Sequence, residues 1–139
     1  MQEKPKRFKR QAPRHPHLVL QPRDYELLKA VYDYRILNAD HILALNIGFD
    51  AAHPRLLLRR LNKLFRNGYL DRPPQQLANY KLNQKIAYAV GDRGADVLAE
   101  HYGMDRGKRT WHKKNHDVTE MHIIHALKVS DFRLAINDL

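Results

Sequence analysis

HPRLLLRRLNKLFRNG, residues 53–68, carries two opposed faces. Wound at about 100° per residue, the turn of an α-helix, it gathers Leu57, Leu58, Leu61, Leu64 and Phe65 into an apolar stripe. Arg55, Arg59, Asn62 and Arg66 gather on the other side, with Lys63 at their flank. No Asp or Glu occurs between Ala51 and Leu70, so nothing nearby in sequence neutralises these cations. Pro54 suits a first helical position, and Gly68 suits the left-handed residue that closes a helix. One face is expected to be buried and the other to meet negative charge, as in a DNA-recognition helix. Arg and Lys are also good helix formers, and a basic face by itself is commonly just solvated. The flanking segments decide between the two.

Upstream, the spacing predicts a first helix from Pro22 to Tyr34, with Leu27, Leu28, Val31 and Tyr32 turned inward and Asp24 and Glu26 favouring its first turn. Asn38 is placed to cap a short second helix from Ala39 to Leu45. Asn46-Ile47-Gly48-Phe49-Asp50 then makes a turn before the basic helix. Short helix, tight Gly-containing turn and basic amphipathic helix is the helix-turn-helix order, in which the second helix enters the major groove. Arg60 projects off the basic face and is expected to pair with an acid such as Asp71.

Past Gly68 the period changes. Tyr69–Arg72 reads as a strand stopped by Pro73-Pro74, and Lys85–Val90 alternates as a second strand. Between them lies a polar loop in which Gln75, Gln76, Asn79, Lys81 and Asn83, with Lys85 beyond, are placed for sugar-phosphate or minor-groove contact. This pair of strands is the expected wing. Asp92 is positioned to cap a fourth helix over Arg93–Tyr102 that ends at Gly103. Residues 104–117 read as a basic linker. A last helix from about Val118 towards Ile136 presents a broad apolar face that includes Met121, Phe132 and Ile136, and is the expected dimer element, the alternative being packing on the first helix.

Residues 1–17 hold Lys4, Lys6, Arg7, Lys9, Arg10 and Arg14 against Glu3 alone, with three prolines, too little apolar surface to offset the entropy of ordering. They are expected to form a disordered basic arm in which Lys6, Arg7, Lys9 and Arg10 follow phosphates or a minor groove. A merely solubilising tail is the alternative. Over all 139 residues, 25 Lys and Arg against 15 acidic residues leave a net charge of +10, which favours a polyanionic partner, nucleic acid before membrane. Cys is absent, so disulfides and thiolate metal sites are excluded. No apolar run approaches the roughly 20 residues that span a bilayer, and the basic N-terminus lacks a signal peptide's apolar centre. A soluble, cytoplasmic protein is expected.

Four segments in order, RDYELLKAVYDYRILNADHI (23–42), RRLNKLFRNGYLDR (59–72), AYAVGDRGADVLA (87–99) and HIIHALKVSDFRLAI (122–136), give the chain its family likeness. It resembles the replication-relaxation family of plasmid- and phage-associated winged-helix proteins. The resemblance implies a winged-helix DNA-binding domain acting in replication, mobilisation or gene control of mobile elements. Longer members continue past the closing segment into an α/β region with acidic residues suggestive of a nuclease-like fold. The expectation here is a short member or a piece of a longer one, and no activity housed in that region is carried over.

Catalysis is tested against the same residues. His112 and His116 stand four apart and His122 and His125 three apart, but a zinc site needs three or four ligands, which Asp117 or Glu120 would have to complete, and no HExxH is present. No GxxxxGK[ST] or GxGxxG loop occurs. Ser130 is the only serine, and Asp131 beside it makes no triad by adjacency. Relaxase-type strand transfer needs an activated Tyr beside a metal cluster, and the tyrosines fall mostly at core-like positions.

The fold expected is mainly α with a small β-hairpin: a winged helix-turn-helix domain over 18–103, then the linker over 104–117 and the helix over 118–139. The function expected is non-catalytic binding of double-stranded DNA, with no metal, cofactor, membrane or small-molecule substrate and with a homodimer through the last helix. Arg55, Arg59 and Asn62 would approach bases, while Lys63, Arg66, the wing and the arm would hold phosphates. Two alternatives fit the same charge: an adaptor whose basic face meets an acidic protein in a replication or conjugation complex, and the DNA-docking fragment of a larger nuclease-like protein.

Overall fold

Caps and apolar spacing fix the helices largely where the sequence places them. The computed structural model describes residues 8–10, 18–79, 85–106 and 110–137. Among these the order is α1 (Pro22–Tyr34), α2 (Ala39–Ala44), α3 (Pro54–Arg66), β1 (Leu70–Asp71), a 3-10 turn (Pro74–Asn79), β2 (Ala89–Val90), α4 (Asp92–Tyr102), α5 (Trp111–His116) and α6 (Glu120–Asn137). The chain is mainly α with a small antiparallel hairpin, as expected.

Asn38 caps α2: its side-chain oxygen accepts from His41 N at 2.9 Å, while Asn38 N donates to His41 Nδ1 at 3.1 Å. The other nitrogen of His41, Nε2, meets Asp131 and so ties α2 to α6. After α3, Gly68 adopts φ +84°, Tyr69 N bonds Leu64 O at 2.9 Å and Gly68 N bonds Phe65 O at 3.1 Å. Those two bonds are a Schellman closure, which satisfies the last carbonyls of the helix and needs the left-handed residue.

Leu27, Leu28 and Val31 of α1, Ile42 of α2, and Leu57, Leu61, Leu64 and Phe65 of α3 enclose the main core with Leu70, Val90 and Leu98. Leu58 does not join them; it is 46% exposed. The buried arc extends instead at its opposite edge, where Arg60 is only 8% exposed. Arg60 pairs with Asp24, not Asp71. Its Nε donates to Asp24 Oδ1 at 2.8 Å, Nη2 meets the other carboxylate oxygen, and Nη2 also donates to Val19 O at 3.0 Å. Asp24 thus does more than favour a first turn. Wholly buried, it also accepts from Gln21 N at 2.7 Å.

The strands are shorter than the alternation suggests. Leu70 pairs Val90 and Asp71 pairs Ala89. Pro73 and Pro74 lack the N–H that a longer ladder requires. A third segment joins where only a link was expected, as Leu37 and Tyr88 exchange bonds of 3.1 and 2.8 Å. Gly94 packs α4 onto the turn after α3, and a Cβ there would lie 2.1 Å from Tyr69 O.

Two readings near α4 change. Gly91, not Asp92, is the capping residue. The Asp92 carboxylate instead accepts from Trp111 N at 2.7 Å and Arg106 Nη2 at 3.0 Å. The stretch read as a basic linker contains α5, because Asn115, wholly buried, donates to Asp71 Oδ2 at 2.9 Å and Val90 O at 2.8 Å. In α6, Ile123 and Ala126 join a second cluster with Ile36, Ala87, Ala89 and Val118, and Ser130 Oγ donates to Ile36 O at 3.0 Å. Its other side leaves Met121, Val129, Phe132 and Ile136 exposed.

Removing one member of a buried ion pair costs about 3–5 kcal/mol, because its partner stays charged and unsolvated. Asp24→Ala is therefore expected to lose stability in that range by urea unfolding, and the double variant Asp24→Leu/Arg60→Met to lose much less. Equal losses in the two would show that the pair is not what the single variant removes.

Candidate nucleic-acid interface

The basic side of α3 stands open. Arg55 and Arg59 are exposed, while Asn62, Lys63 and Arg66 are half-buried at its edge. Among the described residues none of the four cations on this side has a salt-bridge partner, in contrast to Arg60, which the core consumes. Leu56 and Leu58 flank the cations and are 54% and 46% exposed.

Arg72, not singled out from sequence, belongs to the same surface. Its guanidinium lies 4.3 Å from the Phe65 ring centroid and 5.2 Å from that of Tyr88, donates to Tyr88 Oη at 2.9 Å and reaches Asn62 Oδ1 at 3.4 Å. Stacking of this kind holds the planar cation in one orientation. The available signal was its place at the end of the expected strand, one residue before Pro73.

The wing residues divide. Lys85 is exposed. Gln76 is not available to DNA: it is 7% exposed, accepts from Ala87 N at 2.7 Å, and donates to Ala87 O and Pro73 O, each at 2.9 Å. Its amide replaces the backbone pairing that the two prolines prevent. Gln75 is half-buried and donates to His116 O, with its Oε1 buried and without a hydrogen-bond partner among the described residues. The Asn79 side chain, Lys81 and Asn83 lie outside the described residues.

The arm divides too. Lys6 and Arg7 lie outside the described residues, and Lys9 is exposed. Arg10 is docked, with Nε donating to Phe65 O at 2.8 Å, Nη2 to Leu70 O at 3.0 Å, and Nη2 meeting Asp71. Arg10 therefore docks the described residues 8–10 beside the end of α3, with its guanidinium turned to the protein's own acceptors. Asp71 is occupied by Arg10 and Asn115, with His112 Nδ1 at 3.4 Å, which is why it cannot serve Arg60. Arg106, also in the stretch read as linker, is held charged by hydrogen bonds to Asp96 and then Asp92, against partial desolvation.

The family model described as replication-relaxation matches residues 28–138. The chain belongs to the replication-relaxation family. No curated protein and no solved structure matches it. Family membership connects the chain with plasmid replication and mobilisation. In this replication-relaxation chain, the described residues contain no group of three or more His, Asp or Glu side chains that could hold a metal ion. Nor does any described helix have the length and apolarity to cross a membrane.

Leaving a buried backbone N–H without its acceptor costs about 1–3 kcal/mol. Gln76→Ala is expected to lower stability by that amount in thermal or urea unfolding. A variant as stable as the parent would return Gln76 to the solvent-facing loop that the sequence suggests.

Proposed function

We propose that this chain binds double-stranded DNA, without catalysis, as a winged helix whose recognition element is α3. The observation that carries the reading is the set of α3 cations, Arg55, Arg59, Lys63 and Arg66, that no described carboxylate neutralises. Two features support it. The order α2, Gly48 turn, α3, hairpin is that of a winged helix-turn-helix, and Arg72 sits beside Asn62 where the hairpin leaves α3. Arg55, Arg59 and Asn62 approach base edges, with Arg suited to guanine O6/N7 and Asn to adenine. Lys63, Arg66, Lys85 and Lys9 hold phosphates. The setting is cytoplasmic: replication, mobilisation or transcriptional control of a plasmid or phage.

A titration of labelled duplex tests this. Binding is expected to weaken steeply between about 50 and 200 mM salt as counterions are released. Arg59→Ala is expected to cost about 1–3 kcal/mol on a selected sequence and less on random duplex. A chain that ignores duplex at low salt would instead favour an acidic protein partner for the same face.

The proposal includes a homodimer through α6. One side of that helix docks at home through Ile123, Ala126 and Ser130, leaving Met121 and Phe132 75% and 66% exposed on the other. Two such sides packed together would set paired half-sites about one DNA turn apart. Light scattering is expected to give twice the chain mass for the parent and the single mass for Phe132→Asp; a monomeric parent would remove the dimer from the proposal.

A further inference from the structure

A second basic site lies away from α3. An open cavity of about 590 Å³ runs between the end of α1, α5 and the start of α6, lined by Arg35, Lys113, Lys114, Asp117, Val118 and Thr119 among others. Its size is in the range of cavities that take small organic ligands. Three cations face one carboxylate, and Thr119 adds a hydroxyl. Val118 and the lysine stems supply apolar wall.

Arg35 makes this more than a charged hollow. It ends α1 at φ 73°, a backbone state that favours glycine, yet it is an arginine. The turn itself needs no side chain at this position. That side chain is half-buried, donates from Nη1 to Asn115 Oδ1 at 2.8 Å and lies 5.9 Å from the Trp111 ring centroid. Among the described residues it has no salt bridge, and burial lowers its pKa despite the opposing field of Asp71. It is a cation that has shed water without gaining a direct counter-charge.

We propose that this cavity binds a small phosphomonoester of mononucleotide size, its phosphate held by Arg35 and Lys113 and its body lying along Val118. A carboxylate has two oxygens and one charge. A phosphomonoester brings three oxygens and close to two charges, the better match for an Arg fork, the Lys113 ammonium and a hydroxyl against a single carboxylate. Lys114, held over the Trp111 ring at 4.5 Å, adds positive field. Bare phosphate would leave most of the volume unfilled. The site is a binding site, with no reaction assigned, and it needs no DNA.

Isothermal titration of the full chain at about 150 mM salt with AMP, adenosine and inorganic phosphate tests the assignment. AMP is expected to saturate a single site, with adenosine and inorganic phosphate each about tenfold weaker or worse, the factor for losing one charge-assisted hydrogen bond. Lys113→Gln, at an exposed position, and Arg35→Gln are each expected to weaken AMP by about the same factor. Lys29→Gln, which removes the same charge on the outer side of α1, is expected to leave it unchanged. No AMP binding at millimolar concentration overturns the proposal, as does AMP binding that Lys113→Gln and Lys29→Gln affect alike. Adenosine binding as tightly as AMP removes the phosphate from it, and inorganic phosphate binding as tightly removes the organic body.

Discussion

The contact on which the open face of α3 depends is the buried pair between Asp24 and Arg60. An α-helix seated only on leucines can turn a little about its axis at small cost, because dispersion and burial have no direction. A guanidinium gripping both oxygens of a carboxylate admits one geometry. Asp24 is in turn fixed by Gln21 N at the start of α1, so the position of α1 is transmitted to α3 through a single side chain. With Arg60 drawn inward, Arg55 and Arg59 are carried outward. A pair this deep need add no net stability over an apolar replacement; its contribution here is orientation.

A second polar junction does the same for the hairpin. Asp71 on β1 receives Arg10 and Asn115, and Asn115 in turn accepts from Arg35. One carboxylate and one amide thereby join the N-terminal segment, the hairpin, α5 and the end of α1. Because each member satisfies another, the loss of any one exposes several buried groups, and such networks fail together more readily than pair by pair.

The helices were legible because their signals are local. Pro22, Asn38, Pro54 and Gly68 mark ends by backbone chemistry that needs no tertiary partner, and each stands where expected. The partners of charged groups were not legible. Asp71 and Asp24 are equally good acids on paper, and only the approach of α1 to α3 selects Asp24 for Arg60. Gln76 looked like a loop residue because Gln is polar, and burial of a primary amide is recognised only when Pro73 and Ala87 are seen to offer it three hydrogen bonds. Arg10 looked like part of a mobile arm because its neighbours are basic, whereas its acceptors lie more than fifty residues away in sequence. The five-residue basic stripe of α3 was read from spacing alone, and all five side chains lie on the exposed or half-exposed side.

The Gln76 amide also separates two jobs that a β-hairpin ordinarily combines. In most hairpins the turn sets the strand register, so a change in loop length shifts every cross-strand neighbour. Here a side chain clamps Ala87 directly, and the partners Leu70–Val90 and Asp71–Ala89 are aligned from below the loop. The clamp, and not the length of the connection, thereby sets the register, so lengthening that connection would carry only the slowly growing entropy of loop closure.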